Sequence, residues 1–289
     1  MGLPVGDVPG DLGTTTLHRQ QRADSPPGNP TGSHTPGAAP SGAGRWFFEA
    51  SVRRLCRVTN DQVEARLARV TERIGAAARR AGRHAGDVEI LPVTKGHPAR
   101  AIEIVRGLGV GRIGENRVPE AEAKRSELGP TSGVAWHLIG RLQRNKARRA
   151  VRLFDVVESV DSVRLAGTLS RIVREEACEP VEALVQVNTS GEAAKAGLGP
   201  EAALDAVAEI CELPGLRVTG LMTMAPFTGD EAVLRLAFRR AARLLGRCRS
   251  EIPAFGGRTL SMGMSNDFEI AIEEGSTRVR LGTVLLGER

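Results

Sequence analysis

At 289 residues the chain can bury one sizeable core and falls in the range where an α/β barrel is a single domain. Its 40 Lys and Arg against 34 Asp and Glu leave a formal charge of +6, spread along segments such as RLARVTERIGAAARRAGRH without interleaved aromatics, which argues for solvated surface and against a nucleic-acid footprint. Four widely spaced cysteines, Cys56, Cys178, Cys211 and Cys248, form no C-x-x-C pair, exclude a disulfide framework or zinc site, and read as reduced thiols.

Residues 1–58 come first. They include SPPGNPTGSHTPGAAPSGAG, carry little periodic apolar pattern, and have too little surface to bury to offset the entropy of ordering. A disordered extension is expected, with RWFFEASVRRL over 45–55 as a short segment able to dock on the body. A transit peptide and a mis-assigned start codon both account for such an extension. No apolar run reaches the ~18–20 residues that span a bilayer and no secretory apolar core is present, so a soluble, cytoplasmic protein is expected.

From residue 59 to 289 the pattern is that of one α/β domain. TNDQVEARLARVTERIGAAARRAG starts on capping residues, repeats apolar positions at helical spacing and ends in glycine, which predicts a helix. Eight short apolar runs follow: VEILPVT, GVGRIGE, VAWHLIG, FDVVESV, VEALVQVN, LRVTGLMTM, TLSMGM and RVRLGTVLLG. Helical patterns separate them, among them PARAIEIVRGL, VPEAEAKRSEL, LQRNKARRAVRL, PEAALDAVAEICEL and NDFEIAIEEG. Strands alternating with helices predict a parallel (β/α)8 TIM barrel in preference to an open doubly wound sheet, because parallel strands need crossovers and lose both faces to burial.

In such a barrel the carboxyl ends of the strands carry the chemistry. Lys95 stands there after ILPVT. A partly desolvated amine there can attack a carbonyl to form a Schiff base; a surface lysine with a buried stem is the ordinary alternative. At the far end, MGMS closes the seventh run before a helix that Ser265 or Asn266 can cap, and RLGT follows on the eighth. Small residues and free N–H groups there suit a phosphate, in the place where these barrels commonly hold one. Arg280 can point inward as a donor or serve a structural ion pair. An amine opposite a phosphate cradle fits pyridoxal 5'-phosphate (PLP), and it also fits a Schiff-base aldolase acting on a sugar phosphate.

LPVTKGHPARAIE, IGENRVPEAEAK, WHLIGRLQRNKAR, ESVDSVRLAGTL, QVNTSGEAAKAGL, GLMTMAP and LSMGMSNDFEIAIEEGSTRVRLGTVLLGER, in this order, resemble the pyridoxal-phosphate homeostasis proteins, single-domain relatives of the alanine racemase amino-terminal barrel. The resemblance covers roughly residues 60–289 and implies that barrel type. It implies PLP held by Lys95 as a Schiff base, with Asn116 and His137 lining the pocket. By the same resemblance Ser265, Gly282 and Thr283 take the phosphate, Ser261, Met262 and Gly263 shape its loop, and Arg280 faces the pyridine nitrogen. The chain departs from the family pattern at Thr94-Lys95-Gly96, where Ser-Lys-Thr is usual. It also departs at Arg117, Pro119, Arg141 and Arg144, which leaves the lysine and cradle intact and puts surface contacts near the second and third strands in doubt.

The resemblance implies a PLP carrier or buffer without significant turnover, with apo PLP-dependent enzymes as recipients, no membrane or nucleic-acid partner, and a monomer. The alternative is a racemase-like enzyme. Racemisation needs a proton-transfer group on each face of the substrate carbon, and the opposite base in alanine racemase is a tyrosine from a second domain; this sequence has no tyrosine, and no such domain is expected after residue 289. The remaining candidates are assigned to bland roles: the basic cluster Arg141, Arg144, Lys146, Arg148 and Arg149 to a solvated helix face, with attraction of nucleic-acid phosphates or a second cofactor molecule as the alternative, Lys195 to surface in preference to a second chemical amine, and Met222 and Met224 to core. His137 has no second histidine nearby, so no metal is expected.

Overall fold

A computed structural model describes residues 58–129, 133–192 and 196–288. The extension over 1–57, including the segment 45–55 and Cys56, and Lys195 lie outside the described residues. Helix α1, Asn60–Arg80, begins where Thr59 accepts a hydrogen bond from the Gln62 N–H. Its buried face, Val63, Val70, Ile74, Ala77 and Ala78, repeats at helical spacing and packs on the last helices of the chain.

Alternating elements then follow: β1 Glu89–Pro92, α2 Arg100–Gly107, β2 Arg112–Glu115, α3 Val118–Leu128, β3 Ala135–Leu138, α4 Ala147–Leu153, β4 Val156–Val160, α5 Val163–Glu175 and β5 Val181–Gln186. The second half runs α6 Pro200–Cys211, β6 Leu216–Met222, α7 Glu231–Glu251, β7 Thr259–Ser261, α8 Phe268–Glu273, β8 Arg278–Leu281 and α9 Thr283–Leu286. All eight strands are parallel, in the order β1-β8-β7-β6-β5-β4-β3-β2, and a parallel bridge between Val93 and Gly114 joins β1 to β2. The architecture is the (β/α)8 barrel that the alternating runs predict.

Strand burial explains why the apolar runs are continuous. Every residue of β4 and β8 is buried, because one face meets the helices and the other the barrel interior. In β8 the outward Val279 and Leu281 join the core between strands and helices. The inward Arg278 and Arg280 are 5% and 4% exposed and must find partners inside the barrel.

Two segments differ from the sequence expectation. RVRLGTVLLG is a strand only as far as Leu281; at Gly282 the chain turns into α9, whose Leu285 and Leu286 N–H groups donate to the Gly282 carbonyl while their side chains are buried. In LQRNKARRAVRL a 3-10 turn over Arg144–Lys146 precedes a helix that begins at Ala147. The basic cluster in that region meets acidic partners: Arg148 pairs with Glu175 and Glu176, Arg149 with Glu122, and Arg141 with Asp161. Among the described residues no helix is long and apolar enough to cross a membrane.

Candidate functional site

The expected site residues fall into two tiers at the carboxyl ends of the strands. The upper tier is a rim. Lys95 lies in the turn after β1, three residues beyond Pro92, and is half-buried. Asn116, also half-buried, follows β2 directly. The Val93 N–H donates to the Leu281 carbonyl and the Thr94 N–H to the Gly114 carbonyl, so the Lys95 turn is held between the ends of β8 and β2. A Cβ on Gly282 would lie 3.6 Å from the Val93 carbonyl oxygen, which puts the start of the Gly282-Thr283 turn against the strand end that leads to Lys95. Ser265, after β7, accepts a hydrogen bond from the Val284 N–H and ties its loop to α9. The rim therefore assembles Ser265, Gly282, Thr283, Lys95 and Asn116 from four adjacent strands.

Glycines permit this closeness at two points. Gly140, after β3, approaches Asn116 so nearly that an added Cβ would lie 2.2 Å from the Asn116 carbonyl oxygen. Gly263 has φ +93°, a left-handed conformation, and its Cβ would come 2.6 Å from Ala271. Asp267 is the N-cap residue of α8, and its carboxylate accepts from the Met264 N–H, taking the place expected for Ser265 or Asn266. Met262 is fully buried in the hydrophobic core.

The lower tier lies inside the barrel. Arg280 donates through Nη1 to the Ser261 carbonyl (2.8 Å) and Oγ (2.9 Å), and through Nη2 to the Thr223 carbonyl (2.8 Å). Ser261 Oγ donates in turn to Glu158 Oε2 at 2.6 Å. The other Glu158 oxygen accepts from His137 Nδ1 (2.8 Å) and Arg278 Nη1 (3.0 Å). Glu158 is fully buried; burial pushes its carboxyl up, but the bond and charge of His137 and the charges of Arg278 and Arg280 outweigh this and hold it at about 2. Burial pulls the Arg280 guanidinium below its ordinary value, against the opposing charges of Glu158 and Asp267. His137 is thus one tier below the rim, and the residue also lines a cleft at the amino ends of the strands. Sequence reasoning missed Glu158 and Arg278; a glutamate in the buried run FDVVESV and a second arginine in RVRL were the available signals, since charges in such strands are almost always paired.

The alanine racemase amino-terminal domain family model matches residues 66–289. The pyridoxal phosphate homeostasis protein of Mycobacterium tuberculosis is 40% identical over 240 residues, covering 77% of this chain and 91% of that protein. The protein of the same name from Pseudomonas aeruginosa is 42% identical over 224 residues, covering 77% and 94%. This chain belongs to the pyridoxal phosphate homeostasis protein family. Among solved structures it is similar to PipY of Synechococcus elongatus, determined without PLP (TM-score 0.71, 36% identity) and with PLP bound (TM-score 0.69, 35% identity); each match covers 78% of this chain and 100% of that one. Alanine racemase of Clostridium difficile, at 16% identity and TM-score 0.63, shares the fold.

Proposed function

We propose that this chain binds PLP through Lys95 and holds it in the cell as a carrier or buffer, without significant turnover. The observation that carries the reading is the rim: one half-buried lysine turn set beside the Gly282-Thr283 turn and Asn116 at the carboxyl end of the barrel. The names of the relatives, and PipY solved with PLP, support the cofactor.

In this reading Lys95 supplies the amine for the cofactor aldehyde. Ser265, Gly282 and Thr283 receive the phosphate, with Ser261, Met262 and Gly263 shaping its loop, and Asn116 lines the pocket. Arg280 faces the ring nitrogen. A bound pyridoxal ring supplies an electron sink that is strongest when that nitrogen is protonated, and an arginine does not give up its proton, so the sink is weak. His137 acts behind the pocket, through Glu158 and Ser261.

Turnover as a racemase needs a second proton-transfer group facing the substrate. The sequence has no tyrosine, and the Nδ1 of His137 is committed to a buried carboxylate. Delivery to apo PLP-dependent enzymes, a cytoplasmic location and a monomeric state complete the proposal.

The test is a titration of the purified protein with PLP, followed by borohydride reduction and peptide mapping. A visible absorbance band is expected, trapped on Lys95, and Lys95→Ala is expected to weaken retention by about a hundredfold or more. Label spread over surface lysines, or no band, sinks the proposal. Alanine enantiomers incubated with the loaded protein are expected to stay unchanged on a chiral column; interconversion removes the non-catalytic half.

A further inference from the structure

A second lysine is built into the site without belonging to its pocket. Lys124, on α3, is 6% exposed. Its Nζ lies 2.7 Å from the Thr94 carbonyl, 2.6 Å from Glu115 Oε1 and 2.9 Å from Glu120 Oε1. An ammonium has three N–H donors, so this one is saturated and has none left for a ligand. Thr94 Oγ1 donates to the same Glu115 oxygen at 2.6 Å, and the Gly96 N–H donates to Glu120 Oε1 at 2.5 Å.

The residues on both sides of Lys95 are therefore tied to one buried cluster: Thr94 by its carbonyl and hydroxyl, Gly96 by its N–H. Gly96 has φ +74°, a conformation that glycine adopts freely and equally leaves freely, so the turn needs an external tie to stay in place. The cluster is a costly way to fill the space behind a strand. A buried ion pair gives little net stability compared with apolar packing. Glu115 is fully buried, and its Oε2 has no hydrogen-bond partner.

We propose that Lys124, with Glu115 and Glu120, is a positioning device that fixes the Lys95 turn so that the Lys95 amine is delivered at one place and angle to an aldehyde ligand. This rests on Lys95 being the cofactor lysine. The alternative is a cluster that only fills space between β2 and α3.

Two variants separate these. Glu115→Gln/Lys124→Met removes both charges of the central pair together and avoids a stranded buried ion; Glu120→Ala removes the Gly96 tie and leaves Lys124 with Glu115. Each is compared with the wild type in two ways. Without cofactor, hydrogen–deuterium exchange of the peptide over 93–99 reads the turn, against β5 as internal reference. With PLP, the appearance rate and dissociation constant of the visible band, and the lysine that borohydride labels, read the delivery.

The expected result is a folded double variant with faster exchange confined to 93–99 and a band that forms about tenfold more slowly and dissociates about tenfold more readily. Glu120→Ala is expected to move the same readouts by about threefold. Folded variants matching the wild type within about twofold in rate, affinity and exchange overturn the positioning role and leave the cofactor reading standing. A wild type that forms no band on Lys95 overturns the cofactor reading and this inference with it. If the double variant does not fold, Glu120→Ala carries the decision.

Discussion

At the amino ends of the strands the barrel opens onto a cleft of about 910 Å³, lined by Glu89, Arg112, His137, Glu182, Arg217 and Arg278 among others; at the carboxyl ends the rim gathers one half-buried lysine turn and a few small residues. Four arginines there, Arg112, Arg217, Arg258 and Arg278, face two carboxylates, and most of these charges are already paired: Glu89 takes Arg112 and Arg278, and Glu182 takes Arg217 at 3.2 Å. A ligand entering there would have to displace pairs already made. Burial pushes the Glu89 carboxyl up, but Arg278 and Arg112 outweigh it and hold it below the usual range, which marks a pair that is content as it stands. The rim is instead tied through backbone groups, the Val93 N–H to the Leu281 carbonyl, the Thr94 N–H to the Gly114 carbonyl and the Val284 N–H to Ser265, which bring the loops after β7, β8, β1 and β2 together. Volume and charge alone do not locate a site, since most of the charges at the amino ends are already paired with one another.

The barrel interior between the two ends is where the contrast can be broken most severely. Glu158 balances Arg278 and supports Arg280 through Ser261, so Glu158→Ala leaves the buried Arg280 without a carboxylate behind Ser261 and the buried Arg278 with the half-exposed Glu89 alone. A loss of about 3–5 kcal/mol in denaturant unfolding is expected, since removing one member of a buried pair strands the other. PLP affinity measured on the fraction that folds is expected to fall as well, because Ser261 loses the acceptor that orients it towards Arg280. A variant as stable as the wild type would show that the interior charges are solvated and the two ends are not coupled through them.

The barrel was legible because buried parallel strands give unbroken apolar runs, and eight of them appear in order. Lys95 was legible because a lone amine directly after such a run stands at the mouth. Lys124 was not: Glu120 and Lys124 are spaced i, i+4 on a helix, which is also the pattern of an ordinary solvated pair, and only tertiary packing places this one under Thr94. His137 is assigned to the pocket by resemblance; strand pleating turns it into the barrel, where its Nδ1 meets Glu158, and that partner was hidden because its other contacts come from β7 and β8 far along the chain. The end of β8 was overrun because TVLL is equally apolar as a strand or as the buried turn of helix that it forms.

Acid sharpens the same contrast by a smaller amount. The Glu158 carboxyl is depressed from 4.5 to about 2, so the folded state gains from its ionisation. A depressed carboxyl contributes its full stability above the unfolded value and loses it as pH falls toward the folded one, which sets the window from about 4.5 down to about 2. Stability on the order of 3 kcal/mol is expected to disappear across that window, and Glu158→Gln is expected to flatten this part of the unfolding free energy against pH. An unchanged acid limb in the variant would assign the acid sensitivity to carboxylates elsewhere.

The smallest expected effect tests the amino end directly. Arg217 is 68% exposed and pairs with Glu182, which also accepts from Thr219 Oγ1 at 2.9 Å and so keeps a partner when the arginine is gone. Arg217→Ala is expected to cost no more than about 1 kcal/mol, as exposed ion pairs do, and to leave the PLP dissociation constant within about twofold of the wild type. Calorimetry and the PLP titration read the two quantities on one preparation. A fall of about tenfold in PLP affinity with stability intact would mean that the amino-end lining reaches the rim, through His137 and Glu158, and that its paired charges are a second control on the cofactor and not inert packing.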